Sequence, residues 1–215
     1  MTALNVQAGL VGNLSTPTCE GLVSGGKTWS PNGEGLTVYW DVSQNADGTW
    51  HYAYTFANGT GGSLKSQVSH FIISVSPTLT CSDVFNFTGD FGSKEIKEFG
   101  PHPSNPNFPD GQTMFGMKID LNKKQTTVAF DSTRAPMWGD FYAKGGGNPK
   151  NFAYNSDFGV QTINLYDCLN APVDAQGNTL FKILVPDTHK CTDPIPEPAT
   201  LAILSLGLVC CRFKR

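Results

Sequence analysis

Apolar and polar residues alternate with a period of two along most of the chain. In residues 36–42, LTVYWDV, Leu36, Val38, Trp40 and Val42 fall on one face and Thr37, Tyr39 and Asp41 on the other. Residues 49–56, TWHYAYTF, repeat the pattern with Trp50, Tyr52, Tyr54 and Phe56 together. Asn45-Ala46-Asp47-Gly48 between them carries turn chemistry, so the two segments predict an antiparallel hairpin. Further strands are predicted at 70–76 (HFIISVS), 83–88 (DVFNFT, with Phe85 beside Phe87), 114–121 (MFGMKIDL) and 125–131 (QTTVAFD). The last two face each other across Asn122-Lys123-Lys124 as a second hairpin. Candidates follow at 138–143, 159–165 and 179–185. Segments 71–75 and 181–185 read as more continuously apolar than the other strands, which places them centrally.

No run of 3.6-residue period precedes residue 199, so the prediction is all-β: an antiparallel, jelly-roll-like β-sandwich, with a closed barrel as the alternative. Residues 98–113, EFGPHPSNPNFPDGQT, form a long loop, and long loops in compact domains often carry function. Gly145 to Pro149 form a second loop. The domain reading is a sandwich over 1–190, a proline-rich stalk over 191–198, and a short hydrophobic helix with a basic end over 199–215.

Composition fits that picture. Charged residues are only 15%, and 23 glycines and 14 prolines supply turns. Net charge is -3, but Arg212, Lys214 and Arg215 sit at the extreme end, while all 18 acidic residues precede Ala199. The acidic body argues against nucleic acid as a partner, because phosphate binding needs a basic surface. Cys19, Cys81, Cys168 and Cys191 are dispersed without a CxxC. In an exported chain they would form two disulfides of undetermined pairing; four buried thiols are the alternative.

The end of the chain has its own pattern. Pro196-Glu197-Pro198 precedes an uncharged segment, Ala199 to Cys211, which leads into Arg212-Phe213-Lys214-Arg215. As a helix this segment spans about 20 Å, short against a hydrocarbon core of about 30 Å. Basic residues that snorkel, and local bilayer thinning, cover such a mismatch. The helix begins near Pro198, because proline is excluded from helix interiors. Cys210 and Cys211 read as small apolar residues of this helix. Tripeptide, apolar helix and basic end, in that order, resemble the PEP-CTERM sorting signal of Gram-negative bacteria. The resemblance implies processing by an exosortase, a membrane protease that cuts near the tripeptide. It implies transient anchoring in the inner membrane, then a place at the cell surface or in the extracellular matrix, often with exopolysaccharide and biofilm. Such a tail requires a secretory signal. Residues 1–21 lack a charged n-region and a long apolar h-region, so the signal is expected upstream of this start or lost from it, a cytoplasmic chain being the third option. WGDFYAKGGG (138–147) and ISV (73–75) resemble words in other exported proteins with this tail, and imply a shared sandwich without an activity.

Catalytic patterns are sparse. His51, His70, His102 and His189 are scattered without an HExxH, and His51 and His70 fall on the faces opposite the aromatic stripes, so both are expected at the polar surface. There is no GxSxG. Glu20, Glu34, Glu95, Glu98 and Glu197 lie outside the clear strands, and Asp41, Asp120 and Asp131 alternate outward, so no carboxylate pair of a glycosidase is visible. Asp41, Asn45 and Asp47 do not have EF-hand spacing and read as a plain turn. Neither a metal nor a cofactor is expected, and no enzyme activity. The aromatic residues pose the sharper question. Trp40, Trp50, Tyr52 and Tyr54 share core-like faces, whereas Tyr39 and Tyr142 are the candidates for exposed rings that stack on a glycan. The reading is an exported structural or adhesive protein, with a carbohydrate-binding module acting on exopolysaccharide and, less favoured, a glycan-active enzyme as rivals.

Overall fold

The structure is a computed structural model; it describes residues 10–16, 21–121 and 127–190, with side chains to 186. It is all-β, and every strand pairing is antiparallel. One sheet has the order β1-β3-β4-β9-β6, from β1 (Leu10–Ser15), β3 (Thr37–Gln44), β4 (Trp50–Ala57), β9 (Thr127–Ser132) and β6 (Val84–Gly89). The second has the order β2-β12-β11-β5-β8-β7, from β2 (Leu22–Gly25), β12 (Phe152–Asn155), β11 (Phe141–Gly145), β5 (Val68–Ser74), β8 (Met114–Asp120) and β7 (Ser93–Phe99). A separate ribbon joins β10 (Arg134–Gly139) to β13 (Ile183–Lys190).

The predicted hairpin at 36–56 is present as β3–β4, in the register Trp40↔Tyr54 and Val42↔Tyr52, closed by Gly48 at φ +87°. Its apolar face builds the core. Val38, Trp40, Val42, Tyr52, Tyr54 and Phe56 are buried and meet Phe71, Ile73, Met117, Ile119 and Phe141 of the other sheet in one cluster. The contact is aromatic at its centre. Phe71 of β5 lies 5.1 Å from Tyr54 and 5.0 Å from Phe56 of β4, ring centre to ring centre, and 5.8 Å from Phe141 beside it. Tilted and edge-on rings at this spacing add to the burial of their area. Two face-packed sheets around one core make the predicted sandwich.

β5 is central, as its more continuous apolar run predicts: Phe71 and Ile73 point into the main core, and Ile72 is buried in a second cluster on the outer face. The other continuous run is not central. Residues 181–185 lead into β13, which among the described residues pairs only with β10. The expected hairpin of 114–121 with 125–131 is absent, because β8 pairs with β5 and β7 while β9 pairs with β4 and β6 in the opposite sheet. β8 and β9 therefore belong to different sheets. Segment 138–143 breaks after Gly139: Trp138 belongs to the ribbon and packs edge-on against Trp40, while Phe141 belongs to β11. A side chain at Gly139 would meet Ser74 Oγ and Val185 Cγ2, each at 2.4 Å, so this crossing requires glycine. Segment 159–165 is a loop closed by Asn164, whose side chain donates to Ala171 O and accepts from Val173 N–H. In β6 a bulge between Phe85 and Thr88, with Asn86 at φ +53°, sends Phe87 to the core without Phe85. β7 was hidden by its charges: Ser93 to Phe99 is a strand that carries Glu95 and Glu98, so these two glutamates do sit on a strand.

Arg134, at the head of the ribbon, is 3% exposed and gives an NH2 hydrogen bond to Asp83 Oδ2 (3.2 Å) and Thr78 O (2.9 Å). Burial pushes the Asp83 carboxyl up, but hydrogen bonds from Thr80 N–H, Arg134 and the hydroxyls of Thr80 and Thr133 outweigh it and hold the group well below its ordinary range. Phe71→Ala is expected to cost about 3–5 kcal/mol, the typical loss for a fully buried ring, measured by urea unfolding of the body. A loss near zero would show that the two sheets do not depend on this contact.

Candidate functional site

Cross-strand register places one row of charges on the outer face of the second sheet. His70 of β5 stands opposite Lys144 of β11 and Asp120 of β8, and Lys118 of β8 stands opposite Glu95 of β7. Glu95 accepts from Lys97 at 2.6 Å and from Lys118 at 3.3 Å, and Lys118 also lies 3.5 Å from Asp120. Lys144 has no ion-pair partner among the described residues.

The long proline-rich loop after β7 closes over this face. Phe108 packs at 5.0 Å from the Tyr142 ring and edge-on at 5.3 Å from Phe158, and the Tyr142 hydroxyl donates to Pro106 O at 2.7 Å. Asn105 fastens the bend, its amide N–H donating to His102 O and its side chain to Gly100 O. Between loop and sheet remains a cleft of about 410 Å³. His70 lies on its floor, 6% exposed, and its Nε2 has no hydrogen-bond partner among the described residues. Burial, reinforced by Lys144 and Lys118, lowers the His70 pKa from 6.5 to about 4. The imidazole is therefore neutral at physiological pH, beneath two lysines. Such a floor offers a hydrogen-bonding imidazole and two lysines to an anionic group, while Glu95 and Glu98 line the same cleft and Glu95 is engaged by two lysines.

His51 was expected at the surface and is there, its side chain 40% exposed. His70 was expected there too and is buried, because alternation assigns a residue to a face of the sheet but does not reveal that a distant loop covers that face. Tyr142 corrects the reading for the same reason: it is fully buried beneath the loop and offers no ring to a glycan. Tyr39 does lie on the open face of the first sheet, 37% exposed. On that face Asp131 gathers His51 Nδ1 (2.8 Å), Asn86 Nδ2 (2.8 Å) and Asn45 Nδ2 (3.3 Å). Burial raises its pKa, but these donors hold it below the ordinary range. Asp47 accepts from Thr49 N–H and Oγ1, the hydrogen bonding of a plain turn. No group of three or more metal-ligating side chains occurs among the described residues.

Of the four dispersed cysteines, Cys81 is exposed and Cys168 half-buried, its thiol donating to Pro136 O, and the two are not joined to each other. Cys19 and Cys191 lie outside the described residues, as do Pro196, Glu197, Pro198, the predicted C-terminal helix and Arg212, Lys214 and Arg215. No helix of the described residues is long and apolar enough to cross a membrane. The cleft had no signal in the sequence beyond the length of its loop, since its charges come from four strands that only the sheet order brings side by side.

Residues 194–215 match the family described as the PEP-CTERM protein-sorting motif. The chain thus carries the signal of an exported, exosortase-processed protein, and the match is confined to its end. No curated protein and no solved structure matches the chain.

The buried histidine sets a pH dependence. With its folded pKa depressed, His70 binds fewer protons folded than unfolded, so its contribution to stability is present above pH 6.5 and is lost as the pH falls toward 4. Urea unfolding between pH 4 and 7 should show stability rising with pH, and His70→Gln should flatten that slope. An unchanged slope would show that His70 protonates freely in the folded protein.

Proposed function

We propose that this is an exported structural or adhesive protein of the cell surface or extracellular matrix, without chemistry of its own. In this reading residues 1–190 are the working domain and 191–198 a stalk. Residues 199–215 hold the precursor in the inner membrane until an exosortase acts near Pro196-Glu197-Pro198. The observation that carries the reading is the destination of the aromatic side chains. Trp40, Tyr52, Tyr54, Trp138 and Tyr142 are buried, and they build the fold instead of a stacking platform.

Glycan recognition is a second reading, and one observation favours it: the cleft presents the unpartnered Nε2 of His70 beneath Lys144 and Lys118. The chemistry there suits an acidic saccharide such as a uronate better than a neutral one, because it offers cations and a hydrogen-bonding imidazole in place of exposed rings.

The chain, expressed behind a secretory signal in a host with and without an exosortase, should lose the mass of its tail and leave the cell only when the protease is present. Full-length protein in both hosts would end the processing reading. For the cleft, the imidazole resonances of His70 should shift with an oligogalacturonate and stay fixed with a neutral oligoglucan at equal ionic strength. Equal shifts, or none, would end the acidic-glycan reading and leave the structural one standing.

A further inference from the structure

Among residues whose burial is described, Lys182 is the one buried lysine, its side chain 3% exposed. It lies one residue before β13. Its Nζ donates to Asp140 Oδ1 and, at 2.7 Å, to the backbone oxygen of Asp157. The same Asp140 Oδ1 accepts from Nδ2 of Asn155, at 2.7 Å. Asn155 ends β12 and is fully buried, and its Oδ1 accepts from the Phe141 N–H at 3.0 Å. Gly159 N–H donates to the other oxygen of Asp140. A dry amine and a dry carboxamide, from distant parts of the chain, therefore meet on one carboxylate oxygen. The carbonyl of that carboxamide is polarised by a backbone N–H.

We propose that Lys182 and Asn155 become joined by an intramolecular amide bond, with Asp140 as the proton carrier. Each of these groups has a task. In the first step the Lys182 ammonium passes a proton along its hydrogen bond to Asp140 Oδ1, which leaves a nucleophilic amine. Nζ attacks Cγ of Asn155, and the negative charge that develops on Oδ1 is stabilised by the Phe141 N–H. Asp140 delivers its proton to Nδ2, the Cγ–Nδ2 bond breaks, and ammonia leaves. The attacking nitrogen gives up a second proton through Asp140 to the departing ammonia. One C–N bond forms and one breaks, no electrons change hands, and no other reactant is needed. Confinement of both groups in the folded core replaces the activation that amide exchange requires in water.

The bond would tie the start of β13 to the end of β12. β13 runs to Lys190, directly before the segment that carries the sorting motif. Tension entering the domain from its C-terminal end would then meet a covalent link to the six-stranded sheet, rather than only the β10–β13 hydrogen bonds. The inference stands on Lys182, Asp140 and Asn155 and does not require either reading of the surface.

The test is the intact mass of the folded chain, followed by trypsin after denaturation. The wild type should be lighter than its sequence by one ammonia. It should yield residues 151–190 uncut after Lys182, because an acylated lysine is not a trypsin site; residues 151–181 offer no other site. Asp140→Ala and Lys182→Met should restore the full mass, and Asp140→Ala should restore cleavage after Lys182. Full mass in the wild type overturns the proposal. So does loss of ammonia with normal cleavage after Lys182, which would mark a succinimide at Asn155, or loss of water, which would mark a bond from Lys182 to Asp140. The wild-type measurement decides even where a variant fails to fold.

Discussion

Two sheets with no α-helix among the described residues to cover them must bury their apolar faces against each other, and here aromatic rings form the centre of that contact. Phe71 stands at the centre, against Tyr54 and Phe56 across the interface and Phe141 alongside. Tyrosine suits this position because its ring is apolar and its hydroxyl can leave the core to find an acceptor. Tyr52 donates to Arg134 O and Tyr54 to Leu184 O. The same residues that fill the sandwich thus fasten the β10–β13 ribbon across its side. Removing the central contact would loosen sheet packing and ribbon together.

That use of the rings shapes the surface. Three of the four tryptophans and three of the six tyrosines are buried, and the outer sheet faces carry polar groups: the Asp131 cluster on one and the lysine–glutamate row on the other. The long loop then covers part of the charged face and buries His70, Ile72 and Tyr142.

The ribbon is where the domain meets its tail. β13 carries the chain out of the sandwich at Lys190, and its partner β10 is anchored by the buried Arg134–Asp83 pair and by Trp138, whose indole N–H is shared between Asp167 O and Asn170 O. A buried ion pair is retained at some cost in desolvation, and its geometric specificity holds one end of the ribbon in place. At the other end, Asp140 and Lys182 meet where the chain crosses from ribbon to sheet. Both ends of the ribbon are thus held by charged groups out of water, and its middle by the two tyrosine hydroxyls.

Period-two alternation in 36–56 was enough to set the β3–β4 hairpin, its register and its buried face, because those depend on neighbours along the chain. The apolar run at 71–75 was enough to make β5 central. The end of the chain was likewise legible, since a tripeptide, an apolar run and a basic cluster are contiguous. What lies opposite a given residue across sheets or under a loop was not. The strand at 114–120 follows its own alternation whether its partner is the next strand or one from far away, so the false hairpin with 127–132 could be excluded only by the assembled sheets. β7 is too charged to announce itself, and it is a strand because β8 supplies its hydrogen bonds. Tyr142 and Tyr39 both alternate outward; only tertiary structure decided that a loop more than thirty residues away seals one and leaves the other open. The meeting of Lys182, Asp140 and Asn155 belongs to the same class. Local pattern sets which way a side chain faces, and the long-range closure of the chain sets what it meets there.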